Sequence, residues 1–496
     1  MRKVLTSLLA AVMILSMFVI GASADEPVVI STPEEWAGMA ADGNYKLGAD
    51  ITINAMYANK FTGTIDGNGK TITTSVTLFN EFDGSLSNLT IAGDINVNDA
   101  DVRGAAVART VTKTGNVTFE NVVNNAKVYN CDAAGALVAY GTYGCTIVIK
   151  NCVNNADITG DNQVGGLVGY TQGKILTIEN SENNGRIEST GNYSAGIVSR
   201  FGKDAAAADD VCTIKNCKNT GEVIAKKSQV GGMLGYHVGT IVIDGCVNSG
   251  NITNLDGSAG GISGAGSGKD HNSLVITNCE NTGTITGTIY SAGIAGKSGT
   301  VQADGKYYFE NCTNKGEIIV QGNVVKTGGA AGIVGYLYGG STGNGVVGCK
   351  SLGNVTVKDT TTTLTADITV AAAGLIAYVN GASTYIKDNV VTGTIKNLMT
   401  PIADDATEGG LKAAQILCVQ LYYNKSNDGF GPDYVSGNKV KEIEGAVYEI
   451  NAQYGPSYTF ITDEQSATTG DSAVWFALAG AVALLGTAVV VKARKA

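Results

Sequence analysis

The chain has 496 residues, of which 67 are glycine and 5 are proline, and its formal net charge is −10. Abundant glycine together with Ile and Val favours short strands joined by tight turns over disorder, because a disordered chain would be poor in branched apolar residues. Acidic and basic residues are interspersed and form no basic stripe, which argues against nucleic acid and anionic lipid surfaces as partners.

Residues 1–24 have the pattern of a secretory signal peptide. Two basic residues precede an apolar run, and the small residues Ala22-Ser23-Ala24 come directly before Asp25. This pattern predicts cleavage between Ala24 and Asp25. We therefore expect an exported protein whose mature chain begins at Asp25.

Residues 25–44 are predicted to cap the first turn of the domain that follows. Thr32 supplies a hydroxyl N-cap, Pro33 suits the first helical position, and Glu34 and Glu35 place acids in the first turn. A short helix at this point would cover the open end of a stack of strands.

Residues 45–400 contain a repeat whose period is roughly 30 to 40 residues. One copy runs through Ile147-Val-Ile-Lys-Asn151-Cys152-Val-Asn154 and closes on Val164-Gly-Gly-Leu-Val-Gly-Tyr170. The period-two alternation in Ile147-Val-Ile149 is typical of a strand. Three such short strands per coil, each pairing with the same strand of the next coil, predict an all-β, right-handed parallel β-helix.

Asparagine and cysteine recur at fixed positions of this repeat and are predicted to form structural ladders. Asparagine accepts left-handed backbone angles and its amide can bond to the copies above and below, although a row of asparagines that contacts glycans is an alternative. Cysteine in one slot is interpreted as a small buried hydrophobe with a free thiol, although the spacing of stacked coils does not forbid a disulfide. The predicted ladder residues are Asn151, Cys152, Asn154, Asn216, Cys217, Asn219, Cys246, Asn278, Cys279, Asn281, Asn311, Cys312 and Asn314, with Cys349 in the same slot. The cysteines outside the slot, which are the better candidates for disulfides, are Cys131, Cys145, Cys212 and Cys418.

A tyrosine ends the glycine-rich strand in several copies of the repeat, so these tyrosines should form a column on one side of the rod. Such a column can stabilise the coils by itself, and an exposed column can also stack on sugar rings. The candidate ligand-stacking residues are Tyr140, Tyr170, Tyr236, Tyr336 and Tyr378.

The phrase Gly63-Thr-Ile-Asp66-Gly67-Asn68-Gly69 and the recurring Gly-Gly-Leu-Val-Gly-Tyr resemble bacterial cell-surface β-helix proteins with GLUG-type repeats. The resemblance covers the repeat region and implies an adhesin-like protein. Similar repeats accompany IgA-cleaving metallopeptidases, whose zinc site needs His-Glu-x-x-His. The two histidines, His237 and His271, are not in that setting, so the resemblance does not carry protease activity to this chain.

The C-terminal end resembles a degenerate Gram-positive sortase sorting signal. Residues 401–456 are expected to close the repeats and residues 457–472 to form a spacer; within the spacer Thr469-Gly470 matches the cleaved pair of the family, although Ala467 replaces its proline. Residues 473–491 are apolar and about long enough to span a bilayer, and the basic residues 492–496 should stay in the cytoplasm. Covalent attachment to the cell wall by sortase and retention by a single transmembrane helix both remain open.

No catalytic, metal-binding or cofactor-binding set emerges from the sequence. The adjacent acids Asp209-Asp210 and Asp404-Asp405 lie in loop-like segments, where solvated carboxylates are ordinary. We therefore predict a non-enzymatic protein of the Gram-positive cell surface, whose loops bind a glycan or a host surface protein. The alternatives are a polysaccharide lyase or hydrolase, since β-helices also carry such enzymes, and a purely structural wall component.

Overall fold

The structure, a computed structural model, confirms the predicted all-β parallel β-helix. It describes residues 26–99, 102–203, 207, 209–267, 273–299, 305–321, 328–338, 343–358, 370–380, 384–398, 412–414, 417–420, 435–441 and 458–460. Pairing between turns is parallel, as in Ile147 with Leu176 and Leu176 with Cys212. Across the described residues the strands form one 42-stranded and one 12-stranded sheet.

A turn carries up to five short strands rather than the three that the sequence predicted. The turn from Thr146 to Thr171 shows all five: Thr146–Lys150, Val153–Asn154, Ile158–Gly160, Val164–Gly165 and Val168–Thr171. The difference arises because corners at the Asn-Cys pair and at the paired glycines interrupt segments that alternate as single strands in the sequence. We call the five sets of stacked strands the first to fifth stacks, in the order of this turn.

The strands that open the rod are Val28–Ile30, Asn44–Leu47, Ile51–Ile53, Thr64–Asp66, Thr71–Thr74 and Ser85–Asn96. The first stack continues with Asn116–Tyr129, which runs on through the second and third stacks, and then with Thr146–Lys150, Ile175–Glu179, Val211–Lys215, Thr240–Asp244, Ser273–Thr277, Tyr307–Glu310, Asn344–Val347, Thr384–Lys387 and Val435–Ser436. The second stack comprises Val153–Asn154, Glu182–Asn183, Lys218–Asn219, Val247–Asn248, Glu280–Asn281, Thr313–Asn314, Lys350–Ser351, Val390–Val391, Asn438–Val440 and Tyr458–Phe460.

The third stack comprises Ile158–Gly160, Ile187–Ala195, Val223–Gly231, Ile252–Asn254, Ile285–Gly287, Ile318–Val320, Val355–Val357 and Ile395–Asn397, and the second and third of these strands continue into the fourth stack. The fourth stack also holds Gly104–Ala105, Ala134–Gly135, Val164–Gly165, Gly257–Gly260, Tyr290–Ala292, Gly328–Ala331, Val370–Ala373 and Lys412–Ala414. The fifth stack is the 12-stranded sheet and comprises Tyr57–Phe61, Phe79–Phe82, Ala108–Val111, Val138–Gly141, Val168–Thr171, Val198–Phe201, Leu234–His237, Ser263–Gly266, Ala295–Lys297, Val334–Tyr338, Ile376–Asn380 and Leu417–Gln420.

The N-terminal segment contains both the expected helix and a strand that the sequence did not predict. The helix Pro33–Ala37 begins after the N-cap Thr32, whose side chain forms a reciprocal capping box with Glu35. Trp36 of this helix is buried against Phe79, with ring centroids 5.4 Å apart. The strand Val28–Ile30 pairs with Asn44–Leu47 and therefore adds a strand within the segment that was predicted only to cap the repeats. The helix thus closes the apolar interior, while this strand forms the edge.

Past residue 400 the described strands continue the stacks. Leu417 pairs with Ile376, and Lys439 pairs with Val390. The segment expected to close the rod therefore contributes strands in the same parallel register.

The asparagine before each cysteine makes a corner of the coil. Asn151, Asn216, Asn278 and Asn311 have φ values of 53°, 52°, 54° and 54°, and Gly245 takes 65° at the same position. This left-handed region is open to glycine and tolerated by asparagine, because the short amide can bond locally. The residue pattern at this position therefore reflects backbone conformation.

The second asparagine of each copy forms a continuous buried chain of amides, which we call the asparagine ladder. Asn154 Nδ2 donates to Asn183 Oδ1 at 2.7 Å and also to the Ala156 carbonyl at 2.9 Å. The same pair of bonds recurs on successive turns, and every ladder side chain is fully buried. Members of the ladder are Asn124, Asn154, Asn183, Asn219, Asn248, Asn281 and Asn314.

The position of the recurring cysteines, which we call the cysteine slot, is also buried, and its side chains form hydrogen bonds. The slot is occupied by Cys152, Ser181, Cys217, Cys246, Cys279, Cys312, Cys349, Asn389 and Asn438. The backbone N–H of Cys217 donates to Cys246 Sγ at 3.4 Å, and that of Cys152 donates to Ser181 Oγ at 3.1 Å. Thiols in the slot donate in turn to carbonyls, for example Cys152 Sγ to Lys150 at 3.2 Å. The slot therefore selects small side chains that both accept and donate.

The nine cysteines whose side chains the structure describes are all unpaired and buried. They include Cys131, Cys145 and Cys212, so these three outliers do not form the disulfides for which the sequence made them candidates. Cys418, the fourth outlier, lies outside the described side chains. Burial raises the pKa of Cys145 to about 11 and that of Cys152 to about 12, because the interior disfavours the thiolate.

The predicted signal peptide, the sorting-like Thr469-Gly470 pair, the apolar run 473–491 and the basic tail lie outside the described residues. Within the described part of the chain, no helix is long and apolar enough to cross a membrane.

Asn281→Ala should destabilise the rod, because it removes an amide that is bonded to Gly283, Asn314 and Asn248. Leaving buried partners unsatisfied predicts a loss of about 2–4 kcal/mol in unfolding free energy. Urea denaturation followed by circular dichroism measures the loss. The control is Asn184→Ala, an exposed asparagine bonded to Asn155, for which a change below about 1 kcal/mol is expected. Equal effects of the two substitutions would contradict a stabilising ladder.

The nine described thiols should be unreactive in the native protein at pH 8 and should all react once the chain is unfolded without reductant. Burial raises the pKa values of Cys145 and Cys152 above about 8.5, the usual thiol value, so the contribution of these two thiols to stability is complete below pH 8.5. It is lost as pH rises through the folded values of about 11 for Cys145 and 12 for Cys152. A thiol titration in urea checks this, and a count well below nine would show disulfides instead.

Candidate functional site

One outward position of the fifth stack brings the predicted tyrosines into register. Tyr140 pairs with Tyr170, and Tyr336 pairs with Tyr378. Between these pairs the position is not always tyrosine. From Tyr140 onward it holds Tyr140, Tyr170, Arg200, Tyr236, Ala265, Lys297, Tyr336 and Tyr378, and we call this set the tyrosine column.

The local strand explains why this position faces outward. In Val168–Thr171 the side chains of Val168 and Thr171 are buried, whereas Tyr170 is half-buried. The same pattern holds in Leu234–His237, where Tyr236 is the half-buried residue. Because the register is kept from turn to turn at about 4.8 Å per strand, the outward side chains line up along the rod.

A second set of tyrosines from the fourth stack packs beside the column. Tyr193 stacks on Tyr236 with centroids 4.8 Å apart and an interplanar angle of 23°. Tyr290 lies 5.2 Å from Tyr336 and 5.8 Å from Tyr378. The tyrosine column together with Tyr193 and Tyr290 forms what we call the aromatic strip, in which the rings stabilise one another.

Cationic side chains lie against the rings. The Arg103 guanidinium lies 3.6 Å from the centroid of Tyr140. Arg200 lies 4.6 Å from Tyr170 and 5.5 Å from Tyr236, and the Lys297 ammonium lies 5.8 Å from Tyr336. These distances are in the range of cation–π attraction, which holds the cations at the surface of the strip. Burial lowers the pKa of Lys297, because the half-buried ammonium is partly desolvated.

Tyr378 departs from the expectation that the whole column is available for stacking. It is fully buried, and its hydroxyl donates to the Gly328 carbonyl at 2.6 Å. It packs among small residues that include Ala331 and Ala371, which leave room for the ring beneath the surface. Tyr140, Tyr170, Tyr236 and Tyr336 remain half-buried. Tyr378 is therefore a packing residue of the strip.

Several residues of the strip were missed by the sequence analysis although the repeat carries a signal for them. Arg200 and Lys297 stand where other copies have tyrosine, five residues after Ala195 and Ala292 respectively. Tyr193 and Tyr290 both begin the phrase Tyr-Ser-Ala-Gly-Ile. Aligning the copies by position, without requiring tyrosine, would have found the four residues. Arg103 precedes a copy too degenerate to align in this way.

The acids and histidines considered from the sequence do not converge in the described structure. Asp209 forms an ion pair with Lys174 at 2.5 Å, and hydrogen bonding to that lysine lowers the pKa of Asp209. Asp210 is buried and accepts a hydrogen bond from the Ala207 N–H at 2.8 Å. His237 is buried at the end of a fifth-stack strand. The positions 271, 404 and 405 lie outside the described residues.

No group of three or more His, Cys, Asp or Glu side chains in the described residues is arranged to hold a metal ion. The aromatic strip is therefore the feature of the described surface with the clearest means of binding a ligand. Its rings offer apolar faces, its hydroxyls and cations offer polar contacts, and its geometry is repeated along the axis.

The comparisons with known proteins give little further information. No protein-family model matches the chain. No curated protein matches it either. Among solved structures, it is similar to a crystal structure described as a putative immunoglobulin A1 protease from Bacteroides ovatus, with 18% sequence identity and a TM-score of 0.40. That similarity covers 47% of this chain and 78% of the other.

Proposed function

We propose that this protein is a non-catalytic, adhesin-like binding scaffold in which a right-handed β-helix displays the aromatic strip to glycans. The observation that carries the proposal is the register of half-buried tyrosines with Arg200 and Lys297 along one face of the rod. A protein displayed for binding needs a rigid, repeated surface, and the parallel stacks supply one.

Tyrosine suits sugar recognition because its ring packs against the apolar C–H face of a sugar while its hydroxyl bonds to the sugar hydroxyls. Tyr140 and Tyr170 lie on adjacent turns with ring centroids 5.4 Å apart. Their side chains are held by the sheet and by neighbouring rings, so little conformational entropy is lost when a ligand binds. The strip can therefore contribute to binding as several weak, additive contacts along an extended glycan.

The cell-surface part of the proposal is supported by the sequence alone. The predicted signal peptide of residues 1–24 would export the chain, and the apolar residues 473–491 with the basic tail would hold it at the membrane. Sortase would instead cut between Thr469 and Gly470 and join the chain to the cell wall of a Gram-positive bacterium. Insertions within the repeat, in the regions of residues 201–210, 264–273 and 358–368, would add further contacts with a glycan or a host surface protein.

Tyr170→Ala and Tyr236→Ala should each weaken glycan binding by the full-length protein. Loss of one stacked ring, worth about 1–1.5 kcal/mol, predicts roughly a tenfold rise in Kd. A glycan array followed by calorimetry on the best ligand measures it. Tyr385→Ala is the matched control, since Tyr385 is an exposed tyrosine of the first stack, and its Kd should not change.

Three outcomes would count against this function. If binding is unchanged in both strip variants, the ligand site lies elsewhere, on the insertions or on a protein-binding surface. Appearance of new reducing or unsaturated sugar ends during incubation with polysaccharides would show a lyase or hydrolase. Absence of any glycan or matrix-protein ligand would favour the purely structural alternative.

The mode of attachment can be decided by fractionating cells that express the protein. If sortase acts, muralytic enzyme should release the protein and detergent should not, and Thr469→Ala should shift it to the detergent-soluble fraction. Release of intact wild-type protein by detergent alone would show that residues 473–491 retain it as a transmembrane helix.

A further inference from the structure

We propose that the aromatic strip selects anionic polysaccharides, meaning chains that carry carboxylate or sulfate groups, over neutral ones. This inference rests on the proposed glycan-binding function and specifies the class of glycan. The evidence for it is the position of the cations on an otherwise acidic protein and the side chains that surround them.

The strip is cationic although the whole chain has a net charge of −10. From Thr110 to Tyr378 the column position holds two cations and no acid. The nearest acid at that position is Glu81, on the turn before Thr110. Elsewhere on the rod, by contrast, cations occur beside acids, as in the ion pairs of Lys174 with Asp209 and Lys315 with Glu280.

Arg103 and Lys297 have no ion-pair partner among the described side chains, where a carboxylate within 4.0 Å would count as one. Both are half-buried against tyrosine rings. A half-buried cation without a carboxylate loses hydration that no partner replaces. An anionic ligand would restore the missing partner, so part of its binding energy would come from relieving this penalty.

The cations also recur at a regular interval. Arg103, Arg200 and Lys297 lie on turns that are three apart, with Tyr140 and Tyr170 on the turns between the first two. At about 4.8 Å per turn, their backbone positions are about 14 Å apart along the rod, and the Arg103 side chain reaches Tyr140 on the next turn. An extended acidic polysaccharide lying along the axis would place a ring over each tyrosine and an acidic group within reach of each cation.

The chemistry of the two cation types fits this ligand. A guanidinium that stacks on a ring keeps its N–H donors in the plane of the stack, where they can bond to both oxygens of a carboxylate or sulfate. Lys297 offers a point charge without such directional demand. Neutral polysaccharides would meet the same rings but would offer no anion to Arg103 and Lys297, which predicts weaker binding.

The test uses the full-length protein with polygalacturonate and its methyl ester, which have the same backbone and differ in charge. We expect polygalacturonate to bind at least about tenfold more tightly, and its binding to weaken as NaCl is raised. A second pair, chondroitin sulfate and its desulfated form, distinguishes sulfate from carboxylate as the preferred anion.

The variants are Arg200→Gln and Lys297→Gln, each with a charge-retaining counterpart, Arg200→Lys and Lys297→Arg. Each Gln variant should weaken polygalacturonate binding about tenfold, while the charge-retaining variants keep most of it. Lys218→Gln, which removes an exposed lysine of the second stack, should leave Kd unchanged. Thermal melting of each variant separates loss of binding from loss of fold.

The outcomes separate this inference from the function on which it rests. If the ester binds as tightly as the acid, or the Gln variants bind normally while Tyr170→Ala does not, the strip binds glycans without charge selection and this inference is wrong. If neither tyrosine nor cation substitutions change binding, or no glycan binds, the proposed function fails as well.

Discussion

The asparagine ladder is the interaction on which the rest of the rod depends. Each amide is fully buried and has both of its functions used: Asn219, for example, donates to Gly221 and to Asn248 and accepts from Asn183. A buried amide in such a chain cannot shift by one residue without leaving several polar groups unpaired. The ladder therefore fixes the alignment of successive turns from Asn124 to Asn314, which strand pairing alone would hold less strictly.

This fixed alignment is what makes a repeated surface. Insertions change the length of a turn, yet Tyr140, Tyr170, Arg200 and Tyr236 still fall at one register position. The longer intervals lie between strands, as between Phe201 and Val211 in the chain, so extra residues need not disturb the pairing. Different residues therefore determine the stability of the rod and the composition of its surface. Buried positions keep each turn in place, while outward positions are free to differ between turns.

The sequence predicted the architecture well because burial and repetition both leave periodic marks. It did not predict five strands per turn, since a corner such as Asn151-Cys152 interrupts pairing without interrupting the apolar alternation. The sequence pattern treats Tyr378 as equivalent to Tyr336. In the structure, small neighbours such as Ala371 leave room for the Tyr378 ring to be buried. Arg200 was not predicted because only tyrosines were considered at this position of the repeat, whatever residue the other copies hold there. Such differences depend on neighbours in other turns, which a single copy of the repeat does not display.

The cysteine slot shows how position and chemistry together resolve an ambiguous signal. Cysteines in a chain predicted to be exported suggest disulfides, yet the slot is shared by Ser181 and Asn389, which cannot form them. What these side chains have in common is an acceptor for a backbone N–H: the Cys152 N–H bonds to Ser181 Oγ, and the Cys349 N–H bonds to Asn389 Oδ1 at 2.8 Å. Cysteine meets the same need while remaining small and largely apolar. Its recurrence is therefore explained by the backbone group it satisfies, and the thiols require no cross-link to account for their number.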